Sequence, residues 1–181
     1  GLGGTGSYVL DLVAKTPAKE VHLFDNDAFL THNAFRSPGA ASLDDLRTEP
    51  SKVVYLAERY GVLHTGIVPH ETLISPDNLT SLDGLSFVFL CLDDGAAKVP
   101  IIKHLEDNST PFIDTGLGVS RTEGKLLGVL RVTTSTPELR SHVHEKGRIP
   151  LTQTGDDEYT TNIQIAELNA LNATLAVIRW K

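Results

Sequence analysis

The chain predicts an α/β fold: a Rossmann-like, mostly parallel sheet flanked by helices, with an antiparallel hairpin section in the C-terminal half. Three observations lead there. The opening "GLGGTGS" (residues 1–7) satisfies G-x-G-x-x-G through Gly1, Gly3 and Gly6, a loop that joins a strand to a helix. Short β-rich runs then alternate with helical patterns, the order that builds a parallel sheet with helices against it. Finally, "EGK" at 123–125 separates two β-like runs and marks a hairpin turn.

The elements follow in order. "SYVLDLVAK" from Ser7 places Val9, Leu10, Leu12 and Val13 on one helix face, directly after the glycines. "EVHLFDND" (20–27) reads as a strand ending in two carboxylates. "SKVVYLAERYG" (51–61) is a helix with a glycine stop, "LHTGIV" a strand, and "PDNLTSLDG" a loop or short helix. "LSFVFLCL" (85–92) is a continuous apolar run, as expected of a strand covered on both faces. "AAKVPIIKHLED" follows as a helix with Pro100 near its first turns, and "TPFIDTG" as a short buried strand. The hairpin joins "LGVSRT" to "LLGVLRVTT". Residues 137–158 are polar and irregular, the expected flexible loop. "NIQIAELNALNATLAVIRW" closes as a helix apolar almost all round, and so expected to be buried.

Composition sets limits on function. The 181 residues suit a single domain, residues 1–181, and a sizeable core. A formal net charge of −7 argues against nucleic-acid or anionic-membrane binding. No apolar run approaches the ~18 residues of a membrane span. The single cysteine, Cys91, excludes an internal disulfide and any all-cysteine zinc site, and a reducing cytoplasm fits best. A glycine loop of this kind follows a buried strand, so the chain is expected to be a fragment trimmed at its front.

Several residues carry chemistry. Glycines let backbone approach phosphate, and the helix starting near Gly6 directs free N–H groups and its positive dipole at that position. Asp25, some 20 residues downstream at a strand end, can accept ribose hydroxyls of NAD or ATP alike. Asp27 follows on the same face of an extended chain. "THNAFR" then places Asn33 and Arg36 beyond the acidic pair, Lys52 opens a helix, and Asp93 ends the apolar strand. A nicotinamide enzyme needs apolar room at those strand ends. Arg36 as a planar fork and Lys52 as a point charge suit a triphosphate instead, and Asp93 suits a divalent cation bridging phosphate oxygens.

Taken together, "GLGGTGS", "DND", "HNAFR", "SK" and "CLDD" resemble the ThiF/MoeB/HesA family, relatives of ubiquitin-activating enzymes. "PFIDTGLGV" and "EGKLLGVL" look like that family's strand-and-hairpin segment, and the Gly3–Gly4 pair is closer to its loop than to a dehydrogenase's. The resemblance implies an ATP-dependent adenylyltransferase. It would join the C-terminal carboxylate of a ubiquitin-like or sulfur-carrier protein, usually after Gly-Gly, to the α-phosphate of ATP. Gly1, Gly3, Gly4 and Gly6 would cradle phosphate and Asp25 would hold ribose, with Asp27 beside it. Asn33, Arg36 and Lys52 would hold and polarise the phosphates, and Asp93 would coordinate Mg²⁺. It also implies a homodimer.

The chain departs from that family in two ways. It lacks the C-x-x-C pairs of a structural zinc, so none is expected, and no cysteine follows Cys91, so the chemistry is expected to stop at the adenylate. Lys98 falls where the family often has an arginine. His142 and His144 are read as solvated rather than as metal ligands. Residues 137–158 are expected to govern partner choice. Two other readings stand beside adenylation: an NAD-dependent oxidoreductase, and a non-catalytic nucleotide-binding scaffold subunit.

Overall fold

The computed structural model describes residues 1–152 and 165–181. The chain divides into two compact units: Gly1–Leu73 with Gln164–Arg179 and Lys181, and Ile74–Ile163 with Trp180.

In the first unit, α1 (Gly4–Val13) leads to β1 (Val21–Phe24), the short helices α2 (Thr31–Ala34) and α3 (Leu43–Thr48), then α4 (Lys52–Gly61) and β2 (Ile67–His70). α7 (Ala166–Trp180) completes it through Arg179. β1 and β2 pair in parallel, Val21 opposite Ile67 and Phe24 opposite His70. The crossover between them, which a parallel pair requires, runs through α2, α3 and α4. The apolar faces of α1 and α4 meet β1 in a core of Leu2, Leu10, Ala14, Leu23, Phe29, Val53, Tyr55 and Leu56. Phe29 stacks on Tyr55 with ring centroids 4.2 Å apart.

In the second unit, a 3₁₀ turn (Leu79–Leu82) precedes β3 (Val88–Leu90), α5 (Gly95–Asp107), β4 (Phe112–Thr122), β5 (Lys125–Ser135) and α6 (Ser141–Glu145). Their sheet runs β3-β4-β5, parallel then antiparallel. The hairpin turns at Glu123 (φ 51°) and Gly124 (φ 77°), the two positive φ values of a type I′ turn that matches strand twist. Parallel pairs with crossover helices plus this hairpin make the α/β, Rossmann-like architecture expected.

Four expectations change. The apolar run at 85–92 yields only the three residues of β3, and of these Leu90 alone is fully buried. Leu85 still belongs to the preceding turn, donating its N–H to the Leu82 carbonyl, and past Leu90 the chain leaves to start α5. The closing helix is not buried all round. Its inner face carries Asn169 and Asn172, whereas Leu171, Leu175 and Ile178 are exposed. The 137–158 stretch is not wholly irregular, because α6 forms around the buried Val143; its residues 153–158 lie outside the described residues. The second strand is displaced from "LHTGIV" to Ile67–His70. Gly66 there runs so close to the Lys19 carbonyl that a Cβ would collide with it.

No helix of the described residues is long and apolar enough to cross a membrane.

Candidate functional site

The site begins at the glycine loop. Gly3 is the N-cap of α1 (φ −70°, ψ −158°), and no side chain caps the helix. A Cβ on Gly3 would meet nothing within 4 Å, so the space before the helix end is open. Gly4 has a different reason to be glycine: a Cβ there would strike the Asn169 side chain of α7. Thr5 Oγ1 donates to Asn169 Oδ1 at 2.9 Å, which fixes the helix start. The loop thus combines an uncapped helix N-terminus, which favours an anion, with packing that holds it in place.

Directly after β1 stands Asp25, 8% exposed. Its Oδ2 accepts the Leu2 N–H at 2.6 Å, and its Oδ1 accepts the Asp27 N–H at 3.0 Å. Lys52 Nζ approaches Asp25 Oδ1 to 3.4 Å and Asp27 Oδ2 to 2.6 Å. Burial pushes the Asp25 carboxyl upward. The two backbone N–H donors and then the Lys52 charge outweigh it, leaving the group below its usual value. Asp25 is therefore an ionised carboxylate that ties the glycine loop to the end of β1.

Lys52 is itself buried, the first residue of α4, and its N–H donates to the Asp27 carbonyl at 3.0 Å. Its ammonium is held between two carboxylates, one buried and one open to solvent. Asn33 (2% exposed) caps the start of α2 by accepting the Leu30 N–H at 2.9 Å, and its buried Nδ2 has no hydrogen-bond partner among the described residues. Desolvation first, then the Arg36 and Lys52 cations, hold the His32 imidazole below its usual value against the opposing charge of Asp27. The structure therefore brings Asp25, Asp27 and Lys52 into contact beside the loop, with Asn33 and Arg36 on the α2 segment.

Asp93 lies in the second unit, exposed, just before α5. The helix cap is its neighbour: Asp94 Oδ1 accepts from the Ala96 and Ala97 N–H groups at 2.8 and 3.2 Å. Capping is therefore not what Asp93 does. Among the described residues, no group of three His, Cys, Asp or Glu side chains could hold a metal ion. A lone carboxylate fits magnesium that arrives with phosphate oxygens and water as its other ligands.

Sequence reasoning did not anticipate Asn169, the Leu2 N–H, His32 or a buried ion cluster in the second unit. There Lys98 Nζ lies 2.8 Å from Asp114 Oδ1, and Arg131 Nη1 bonds Asp114 Oδ2. Asp114 is fully buried, and the Lys98 contact is an ion pair without hydrogen-bond alignment. Gly116 leaves the room in which the Arg131 guanidinium lies. The available signal was a single aspartate inside the apolar "PFIDTG". Lys98 is thus committed to Asp114. His142 and His144 are not simply solvated: the first bonds the Thr134 carbonyl at 2.9 Å and the second the Glu106 carboxylate at 2.9 Å. Burial pushes the Cys91 thiol upward, the reverse of what a nucleophile needs.

This fold and glycine-loop site define a known class. The ThiF family model matches residues 1–179, and the chain belongs to the ThiF family. It has that family's adenylyltransferase-like fold. Among solved structures, E. coli tRNA N6-threonylcarbamoyladenosine dehydratase, TcdA, in complex with ATP superposes with a TM-score of 0.68 at 20% identity, covering 99% of this chain and 81% of that one. E. coli MccB with AMPCPP and MccA gives 0.71 at 16% identity, covering 99% and 52%. PaaA gives 0.66 at 17%, covering 99% and 52%. The chain thus spans about half the length of MccB and PaaA. No curated protein matches it by sequence.

Proposed function

We propose that this chain is an ATP-dependent adenylyltransferase acting on a carboxylate, and that the carboxylate is the C-terminus of a ubiquitin-like or sulfur-carrier protein. The observation that carries this reading is the Asp25–Lys52–Asp27 cluster anchored to the glycine loop. Two carboxylates and a buried ammonium at the end of β1, beside an uncapped helix N-terminus, suit ribose and phosphate. They do not suit nicotinamide, which needs an apolar wall.

In the proposed reaction a carboxylate oxygen attacks the α-phosphorus of ATP. The bond to the bridging oxygen breaks, pyrophosphate leaves with that electron pair, and an acyl-adenylate remains. No side-chain nucleophile is required. What the protein supplies is in-line positioning and charge neutralisation. Lys52 and Arg36 bring the cations, Asn33 Nδ2 a buried donor, and Asp25 the ribose acceptor. Asp93 would hold Mg²⁺, which when bound neutralises phosphate charge.

The acceptor is a separate question. One solved neighbour is a tRNA N6-threonylcarbamoyladenosine dehydratase and another is held with the peptide MccA. The net charge of −7 favours a protein or peptide over RNA. A homodimer and a cytoplasmic location belong to the same proposal.

ATP–pyrophosphate exchange with candidate carrier proteins tests it. Carrier-dependent exchange, lost in Asp93→Ala and Arg36→Ala, is the expected result. Binding of NADH in place of ATP and Mg²⁺ would overturn it.

A further inference from the structure

One face of the β4–β5 hairpin carries more positive charge than its own contacts neutralise. Asp114 and Gly116 on β4 stand opposite Thr133 and Arg131 on β5, and strand alternation puts all four on the same face. Asp114 is fully buried, and the buried Lys98 ammonium lies 2.8 Å from its Oδ1. Arg131 Nη1 donates to Asp114 Oδ2, to Thr133 Oγ1 at 3.4 Å and to the Arg148 carbonyl at 3.1 Å. Among the described residues no second carboxylate joins this cluster. Two cations therefore share one carboxylate, and one positive charge is left over.

A surplus charge beside a buried ion pair is costly unless an anion meets it. The guanidinium shows where that anion goes. Nη1 makes every hydrogen bond that Arg131 has among the described residues, while Nε and Nη2 make none. The side chain is 26% exposed, and neither nitrogen is closed off from solvent. Its plane rests on Gly116, where a Cβ would strike Nη2, Cζ and Nε. Held along one edge and one face, the group offers two N–H donors on its remaining edge, the fork that matches a carboxylate. The surroundings suit a polypeptide. On the same face β5 continues into the exposed Val129 and Leu127, and β4 into Gly118, where a Cβ would meet nothing within 4 Å. An open floor edged by apolar side chains and ended by a fixed guanidinium accommodates an extended chain. A single surplus charge balances a carboxylate and falls short of a phosphate.

We propose that Arg131 is a carboxylate receptor: it binds a carboxylate of the polypeptide acceptor, either its chain terminus or an acidic side chain. Asp114 acts as its positioning residue, and Lys98 supplies the charge that keeps Asp114 from cancelling it. That the ligand is a polypeptide rests on the adenylation reading, whereas the surplus charge and the open fork do not. Because the guanidinium is already fixed, little side-chain freedom is lost on binding.

NMR titration of the full chain tests the proposal through the Arg131 Nε–H resonance, assigned by its absence in Arg131→Lys. N-acetylglycylglycine, which ends in a carboxylate, and N-acetyl-aspartic acid α-amide, which carries one on its side chain, should shift it. N-acetylglycylglycinamide should not, and the tighter of the two acids identifies the source of the carboxylate. With affinity read from the Gly116 amide, Arg131→Lys keeps the charge but loses the fork and should weaken binding about tenfold. Lys98→Met keeps the fork but removes the surplus charge and should weaken it similarly, which a purely structural Arg131 would not show. Urea melts establish that each variant folds; if Lys98→Met does not, Arg131→Lys decides alone. No response to either acid overturns the proposal. So does an equal response to the amide, tighter binding of inorganic phosphate, or an affinity unchanged in Arg131→Lys. ATP binding is followed separately. If it persists while the acids have no effect, this proposal fails alone; if it is absent while they bind, the nucleotide reading fails alone.

Discussion

Replacing Lys52 by methionine removes the buried ammonium while keeping most of its stem. Lys52 sits 3.4 Å from Asp25 Oδ1 and 2.6 Å from Asp27 Oδ2. At an effective dielectric near 20, the Asp25 attraction alone amounts to about 5 kcal/mol. The Asp27 side chain is 66% exposed, so screening reduces its share to at most about 1 kcal/mol. Against these stands the cost of burying an ammonium, several kcal/mol, which methionine avoids. Asp25 also keeps its two backbone N–H donors. The net loss should be about 2–3 kcal/mol, which lowers the urea midpoint by about 1 M for an m-value near 2 kcal/mol/M.

Linkage adds a second signature. The folded Asp25 pKa is depressed below its ordinary 3.8, so its stabilisation is present above that value and lost as pH falls through the folded pKa. Lys52→Met removes one of the depressing causes. The acid loss of stability should then begin at higher pH than in the parent. Urea melts at pH 7 and through the acid range measure both effects. A variant as stable as the parent with an unshifted acid limb would refute the cluster's energetic role.

Gly4→Ala should destabilise by about 1–3 kcal/mol, because the new Cβ overlaps the Asn169 side chain. Adding Asn169→Ala should make the double variant less costly than the two single losses combined; strict additivity would sink the explanation. Asp94→Ala should cost about 1 kcal/mol in thermal or urea melts by uncapping α5. Asp93→Ala should stay within about 0.5 kcal/mol of the parent while losing pyrophosphate exchange, and the opposite assignment would show the two aspartates exchanged in role. His70 has a folded pKa held below 6.5, by burial first and then by His22. Its stabilisation is complete above pH 6.5 and declines as pH falls through the folded value. His70→Phe, which can keep the stack on Phe24, should flatten that limb in melts between pH 7 and 5.

Much of the fold was legible because its signals are local. Tandem glycines before an amphipathic run and Glu123-Gly124 between β-like runs each decide their structure within a few residues. Of the candidate residues named from the sequence, Asp25, Asp27 and Lys52 come together in contact at the end of β1, and Asn33 and Arg36 lie on the neighbouring α2 segment. The ends of elements were less legible. The 85–92 run reads as one long strand, yet β4 pairs with it only at Val88–Leu90, and pairing is a property of two segments. The α6 helix was missed because only burial of Val143 marks it out from a polar stretch.

The sequence by itself determined that a glycine loop, a carboxylate-terminated strand and two cations come in that order, since each is written in neighbouring residues. Only the tertiary structure decided their partnerships. Lys52 reaches Asp25 across 27 positions, and Asn169 supports Gly4 across 165. Arg131 and Lys98 neutralise an aspartate that lies in neither of their elements. The closing helix reads as apolar almost all round, yet it buries asparagines and exposes leucines, because the direction of a helix face is set by what the rest of the chain packs against it.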